Sequence, residues 1–215
     1  MHSKLESSLR RQIVETHQRL YTLGFSVAND GNTSARLPKG QFIITPAGLI
    51  KAKLRPSDLP VVNASGKKIR GNYPVSTEFQ MHLAIYNARP DVEVIIHAHP
   101  PFSIACSLAN ISLADPVLPE VVATLGEIPT ARYATTGTRE LASILADIVQ
   151  HHDAIILERH GAVTVGRTLE DALQKLERVE HSARIILLSR LVGSISSLPA
   201  DEVRRLHQIG GMGPA

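Results

Sequence analysis

The chain has 215 residues, 43% apolar, 20% charged and 4% aromatic, with a formal net charge of +3. Such a length builds one sizeable core, and such a composition excludes a disordered chain, a collagen-like repeat and a coiled coil. With no Trp and few other aromatics, a base-stacking nucleic-acid surface lacks material, and no apolar run reaches the length of a membrane span.

The charge is uneven. Residues 1–72 hold 12 Lys/Arg against 4 Asp/Glu, and the remainder 11 against 16. So dilute a basic third reads as a solvated surface or as a field suited to a phosphate-bearing small molecule, and not as a DNA-binding arm. Cys106 is the only cysteine, and the first residues form neither a signal nor a transit peptide, so a reducing, cytoplasmic setting is expected.

From Leu5 to Leu23, apolar residues recur at helical spacing and stop at Gly24, a C-terminal cap. Thr33–Leu37 and Gln41–Thr45, joined by Pro38-Lys39-Gly40, read as a hairpin, and Leu59–Val62 with Lys68–Ile69 as a second. From Ser76 helices alternate with strands. Helices are expected at Glu78–Asn87, Phe102–Ala109, Thr138–Val149 and Thr168–Val192, and strands at Val92–His99, Ala154–Leu157 and Ala162–Val165. Residues 1–209 are therefore expected to form one α/β domain, a mixed and largely antiparallel sheet covered by helices, with a frayed tail at Gly210–Ala215. No GxGxxG follows a strand, which disfavours a dinucleotide-binding fold.

The densest chemical signal is Val92-Glu93-Val94-Ile95-Ile96-His97-Ala98-His99-Pro100. Residues two apart on a strand face the same way, so His97 and His99 can reach one metal ion. Taken alone, the pair is equally well two histidines at a solvated strand end. His160, just before Gly161 at the end of a second apolar strand, is the natural third ligand, and three neutral imidazoles leave one position free for substrate or water. His17 and His82 fit packing or surface positions on helices; a Glu78/His82 pair, four apart on one helix face, is a lesser alternative. His2, His151, His152, His181 and His207 are assigned no role.

A second cluster comprises Asp30-Gly31-Asn32-Thr33-Ser34, Thr45-Pro46-Ala47-Gly48 and Ser76-Thr77-Glu78. Backbone N–H groups in such turns and at a helix start, helped by hydroxyls and an amide, form an anion cradle if the segments meet. Singly, each is only a turn or a cap.

The ordered set Gly31-Asn32, Thr45-Pro46-Ala47-Gly48, Ser76-Thr77-Glu78, His97-Ala98-His99, Tyr133-Ala134-Thr135-Thr136-Gly137-Thr138 and His160-Gly161 resembles the class II aldolase/adducin family, most closely its L-fuculose-1-phosphate aldolase branch. The likeness runs from the first helix to about Arg190. It implies a three-layer αβα fold, a divalent metal, Zn2+ before Mn2+ or Co2+, on His97, His99 and His160, and a homotetramer with active sites between subunits. It also implies a phosphate site on Gly31, Asn32, Ala47, Gly48, Ser76 and Thr77, with Glu78 as the base at the carbon next to the carbonyl.

The implied reaction is cleavage of a ketose 1-phosphate to dihydroxyacetone phosphate and an aldehyde, the metal acting as a Lewis acid toward the enediolate. Dehydration of methylthioribulose 1-phosphate, pentulose-5-phosphate 4-epimerisation, decarboxylation of a phosphorylated sugar acid and a non-catalytic adducin-like module are the alternatives. Three departures bear on the substrate. Glu120 stands where that branch carries an acid tyrosine and would be the proton donor to the aldehyde oxygen, Thr136 replaces an aromatic of the aldehyde pocket, and the C-terminal tail has no tyrosine. A ketose with a less polar far end, such as 5-deoxyribulose or 5-methylthioribulose 1-phosphate, suits such a pocket.

Overall fold

The computed structural model describes residues 2–211. It opens with α1 (His2–Thr22), followed by Gly24 at φ +74°. The first hairpin is β1 (Asn32–Leu37) and β2 (Gln41–Ile44), and the second β3 (Val61–Asn63) and β4 (Lys68–Arg70). Then come α2 (Phe79–Ala88), β5 (Val94–Ala98), α3 (Pro101–Leu108), α4 (Pro119–Thr124), β6 (Thr130–Ala131) and α5 (Arg139–Ile148). β7 (Ala154–Leu157), β8 (Gly161–Gly166), α6 (Leu169–Val192) and α7 (Ala200–Ile209) complete the described chain.

All eight strands form one sheet in the order β4-β3-β2-β1-β5-β8-β7-β6. Neighbours are antiparallel except β6 and β7, which are parallel. The period-two alternation of the strands divides the apolar residues between two cores. Val94, Ile96 and Ala98 of β5 pack with Ile13 and Leu20 of α1, Cys106 of α3 and Leu176 of α6. Ile95 faces the opposite core with Phe79 and Ile85 of α2 and Leu145 of α5. Helices on both faces make the architecture a three-layer αβα sandwich, as the resemblance implied. Wholly buried side chains such as Ile43, Ile95 and Ile96 each contribute roughly 1.5–3 kcal/mol relative to exposure.

The structure adds elements that the pattern reading missed. α4 has six residues and begins at a proline, α7 buries only Leu206, and β6 is two residues long, so none fills a periodic window. The strand expected at Val92–His99 pairs only over Val94–Ala98. Of the tail expected to fray, Gly210 donates its N–H to Leu206 O at the end of α7, and residues 212–215 lie outside the described residues.

Candidate active site

Topology brings the three histidines together. β5 and β8 are antiparallel neighbours, with Ala98 opposite Ala162, so the residues after the end of β5 meet those before the start of β8. His99 follows the one strand and His160 precedes the other, while His97 projects from β5 on the face of Ile95. Close approach here depends on glycine: a Cβ on Gly161 would stand 2.3 Å from Ala98 O and 3.0 Å from a ring carbon of His99.

The three ring centroids lie 4.7–4.9 Å apart, and one ligand atom from each residue falls within 4.8 Å of the others. Nε2 of His97 and Nε2 of His99 are 3.1 Å apart. Two nitrogens on one tetrahedral Zn2+ at about 2.0–2.1 Å would be separated by about 3.3–3.4 Å. His97 Nδ1 sits 3.0 Å from Ala162 O; a carbonyl only accepts, so Nδ1 carries the proton and Nε2 presents its lone pair. Burial pushes His97 down to about 3 and His99 to about 4, helped by the neighbouring imidazoles, and burial also lowers His160. Neutral rings are the form that binds metal. The cluster could therefore hold a metal ion.

Glu78 occupies the cap position of α2. Its Oε2 lies 3.5 Å from His97 Nε2 and its Oε1 3.7 Å from His160 Nε2. Strand register explains its neighbour: β1 pairs with β5 so that Asn32 is directly opposite His97. Asn32 Nδ2 donates to Glu78 Oε2 at 2.7 Å. Gly31, at φ +76°, lets the chain pass where a Cβ would stand 2.8 Å from His97 O.

The glycine and hydroxyl segments meet in one cleft. Gly31, Asn32, Ala47, Gly48, Ser76 and Thr77 line it together with Glu78, His99 and His160. Thr136 also lines it. His82 does not join the imidazole cluster. It is fully buried, with its ring nitrogens engaged by Asn32 and Ser34, so the Glu78/His82 metal pair is replaced by a hydrogen-bonded core histidine. Glu120 lies exposed in the first turn of α4 and is not among the residues lining the cleft.

Two further lining residues carry charge: Asp30, which opens the second sequence cluster, and Lys51, which the sequence reading did not name. Asp30 Oδ2 stands 3.7 Å from His99 Nδ1. Lys51 is the one Lys or Arg among the described residues lining the cleft, and only 2% of it is exposed. Its Nζ donates to Pro46 O at 2.6 Å and Leu49 O at 3.4 Å, and burial lowers it to about 8 against the attraction of Asp30 and Glu78. Its place three residues after Thr45-Pro46-Ala47-Gly48 was the available signal.

A cleft lined by glycine and hydroxyl segments, one buried cation and two carboxylates, beside imidazoles that could hold a metal, has room for a polar small molecule. The chain belongs to the class II aldolase and adducin family: residues 11–187 match its Class II Aldolase and Adducin N-terminal domain. It is 31% identical over 190 residues to the 3-oxo-tetronate 4-phosphate decarboxylase of Escherichia coli K12, covering 86% of this chain and 89% of the relative. It is 34% identical over 201 residues to the 5-methylthioribulose-1-phosphate/5-deoxyribulose-1-phosphate aldolase of Rhodospirillum rubrum, covering 93% and 89%. A solved L-fuculose 1-phosphate aldolase superposes with a TM-score of 0.87 at 27% identity, covering 94% of this chain and 95% of that one.

Proposed function

We propose that this protein is a metal-dependent aldehyde-lyase that cleaves a ketose 1-phosphate, of the fuculose, 5-deoxyribulose or 5-methylthioribulose type, to dihydroxyacetone phosphate and an aldehyde. The observation that carries the reading is the Glu78 carboxylate set beside His97 and His160 in the cleft that the glycine and hydroxyl segments line. The three-imidazole donor set suits Zn2+, with Mn2+ or Co2+ as substitutes, and a divalent ion supplies Lewis-acid polarisation of the substrate carbonyl.

The chain's own residues do the rest. Gly31, Ala47, Gly48, Ser76 and Thr77 hold the phosphate, and Lys51 balances part of its charge. Asn32 spends its carbonyl oxygen on His82 and one amide hydrogen on Glu78, leaving one hydrogen for substrate. Cleavage of the C3–C4 bond passes the proton of the C4 hydroxyl to a base, Glu120 or water, and leaves the bonding pair on C3; Glu78, having taken up one proton from solvent, gives it to C3, so one proton leaves the substrate and one returns. Glu120 faces solvent and would serve the aldehyde oxygen only across a subunit boundary of the proposed homotetramer.

One observation favours a second reading. Decarboxylation of a 3-oxo sugar acid 4-phosphate leaves the same enediolate and needs no group at an aldehyde oxygen, and Glu120 does not line this chain's own cleft. Assay of dihydroxyacetone phosphate release from ketose 1-phosphates and 3-oxo-tetronate 4-phosphate, with the co-product identified, separates them. An aldehyde supports the aldolase; carbon dioxide alone replaces it with the decarboxylase; no release from any metal-loaded reaction rejects both.

A further inference from the structure

Behind Glu78 lies a file of buried polar groups that proton transfer does not itself require. Asn32 Oδ1 is 2.5 Å from His82 Nε2, His82 Nδ1 is 2.7 Å from Ser34 Oγ, and Ser34 Oγ is 2.8 Å from Tyr86 Oη. None of Asn32, Ser34, His82 and Tyr86 is more than 2% exposed. Sequence places them on two elements only, β1 and α2, at positions 32 and 34 on one strand face and 78, 82 and 86 on one helix face. The apolar surround gives none of these groups an alternative partner in water, so each proton has to be accounted for.

The direction of every bond then follows from the carboxylate. Ionised Glu78 can only accept, so the Asn32 amide turns Nδ2 toward Oε2 and Oδ1 toward His82. Oδ1 can only accept, so His82 carries its proton on Nε2. Nδ1 is then an acceptor and takes the Ser34 hydroxyl hydrogen. Ser34 has no second hydrogen, so Tyr86 donates to it at 2.8 Å, the shorter of its two contacts, Glu93 O standing at 3.5 Å. All four donations run toward Glu78, and they leave a specific asymmetry there: Oε2 is bonded to Asn32, whereas Oε1 is buried without a hydrogen-bond partner.

We infer that Ser34, His82 and Tyr86 are positioning residues that lock the Asn32 amide, hold Glu78 through Oε2 and so make Oε1 the oxygen that exchanges the proton with substrate. The inference deepens the proposed reaction and rests on Glu78 being its base. Tyr86 closes the file: its ring stacks on Phe42 at 4.6 Å between centroids and lies under the Arg36 guanidinium at 4.7 Å, which fixes the last donor.

The test has two readouts. In metal-free protein labelled with 15N-histidine, long-range 1H–15N correlation should show His82 neutral, protonated at Nε2 and bare at Nδ1. Ser34→Ala should move the Nδ1 resonance to that of a nitrogen without a donor. In metal-loaded protein the same variant should lose about 10-fold in kcat, the lower range for removing a supporting hydrogen bond around a metal site, with KM within about twofold and metal content unchanged. Ser34→Thr, which keeps the hydroxyl, should restore kcat. A ring protonated at Nδ1, a charged ring, wild-type kcat in Ser34→Ala, or a loss matched by lost metal or lost folded protein would each overturn the inference. If the wild type turns over no ketose phosphate, the proposed reaction fails, and the tautomer still decides whether the file runs as described.

Discussion

At the scale of single residues, the proposed chemistry turns on Glu78. Replacing it with Gln keeps the amide-sized shape but removes the proton acceptor, and kcat should fall by about 10²–10⁴-fold, with the three imidazoles still binding metal. Steady-state rates beside metal analysis check this; unchanged kcat would remove Glu78 from the reaction. Gly161 is a second pressure point, because β8 approaches Ala98 O too closely for any Cβ. Gly161→Ala should cost about 1–3 kcal/mol by overpacking and displace His99, so chelator should strip metal from the variant sooner than from wild type. Equal stability and equal metal retention would contradict the close approach. His97 and His99 were legible as a pair because alternation puts them on one face of a strand, but only His160, standing at a second strand end, turned the pair into a candidate cluster. Asn32 as the partner of Glu78 was not legible: it depends on the register between β1 and β5, strands more than fifty residues apart in the chain. Lys51 was hidden because a lysine in a short connection is ordinarily solvated, and only the fold shows it buried.

At the scale of elements, helix α3 begins two residues after His99 and is capped from α6. Glu180 of α6 accepts from the backbone N–H of Phe102 and Ser103, both at 2.8 Å, and from Ser103 Oγ at 2.7 Å. One carboxylate thus satisfies the first amides of the helix that follows His99-Pro100, at the end where a negative charge is favoured. Glu180→Ala leaves those donors buried and unpaired, a loss of about 1–3 kcal/mol, which a lower midpoint of urea unfolding at unchanged slope would show; an unchanged midpoint would mean water caps the helix equally well. This bond joins residues 77 or 78 apart and left no trace in the sequence, whereas the cap of α6 did. Thr168 and Asp171 stand at capping-box-like spacing, and Thr168 Oγ1 accepts from Asp171 N at 3.1 Å, although the Asp171 carboxylate turns to Arg167 N. Long periodic helices and both hairpins were readable from local pattern. α4, α7 and β6 were not, because their positions are set by what they pack against.

At the scale of the whole molecule, burial of histidine ties stability to pH. His17, His82 and His97 are held near 3 and His99 near 4, in each case chiefly by burial. Their folded values lie below the unfolded value of about 6.5. The unfolded chain therefore binds more protons below that pH, and stability is complete above about 6.5 and falls as pH drops toward the folded values. Each histidine costs up to about 1.4 kcal/mol per pH unit in that window. Metal-free protein should show a melting temperature that is flat above pH 7 and falls steeply from 6 to 4; a flat profile through pH 5 would contradict neutral burial of these rings. The αβα class was legible from alternation and element order. Convergence of the cradle and the imidazoles at one end of the sheet rests on strand order, which no local pattern specifies.

The proposed reaction requires Glu78, beside a divalent ion that His97, His99 and His160 would hold, to move the proton on the hydroxymethyl carbon of dihydroxyacetone phosphate. Incubating metal-loaded protein with dihydroxyacetone phosphate alone in deuterated water, and following the carbon-bound hydrogens of its hydroxymethyl group by NMR, tests this without choosing an aldehyde. One such hydrogen should exchange, and chelator should abolish the exchange and added divalent metal restore it. No exchange in protein shown to carry its metal would contradict it.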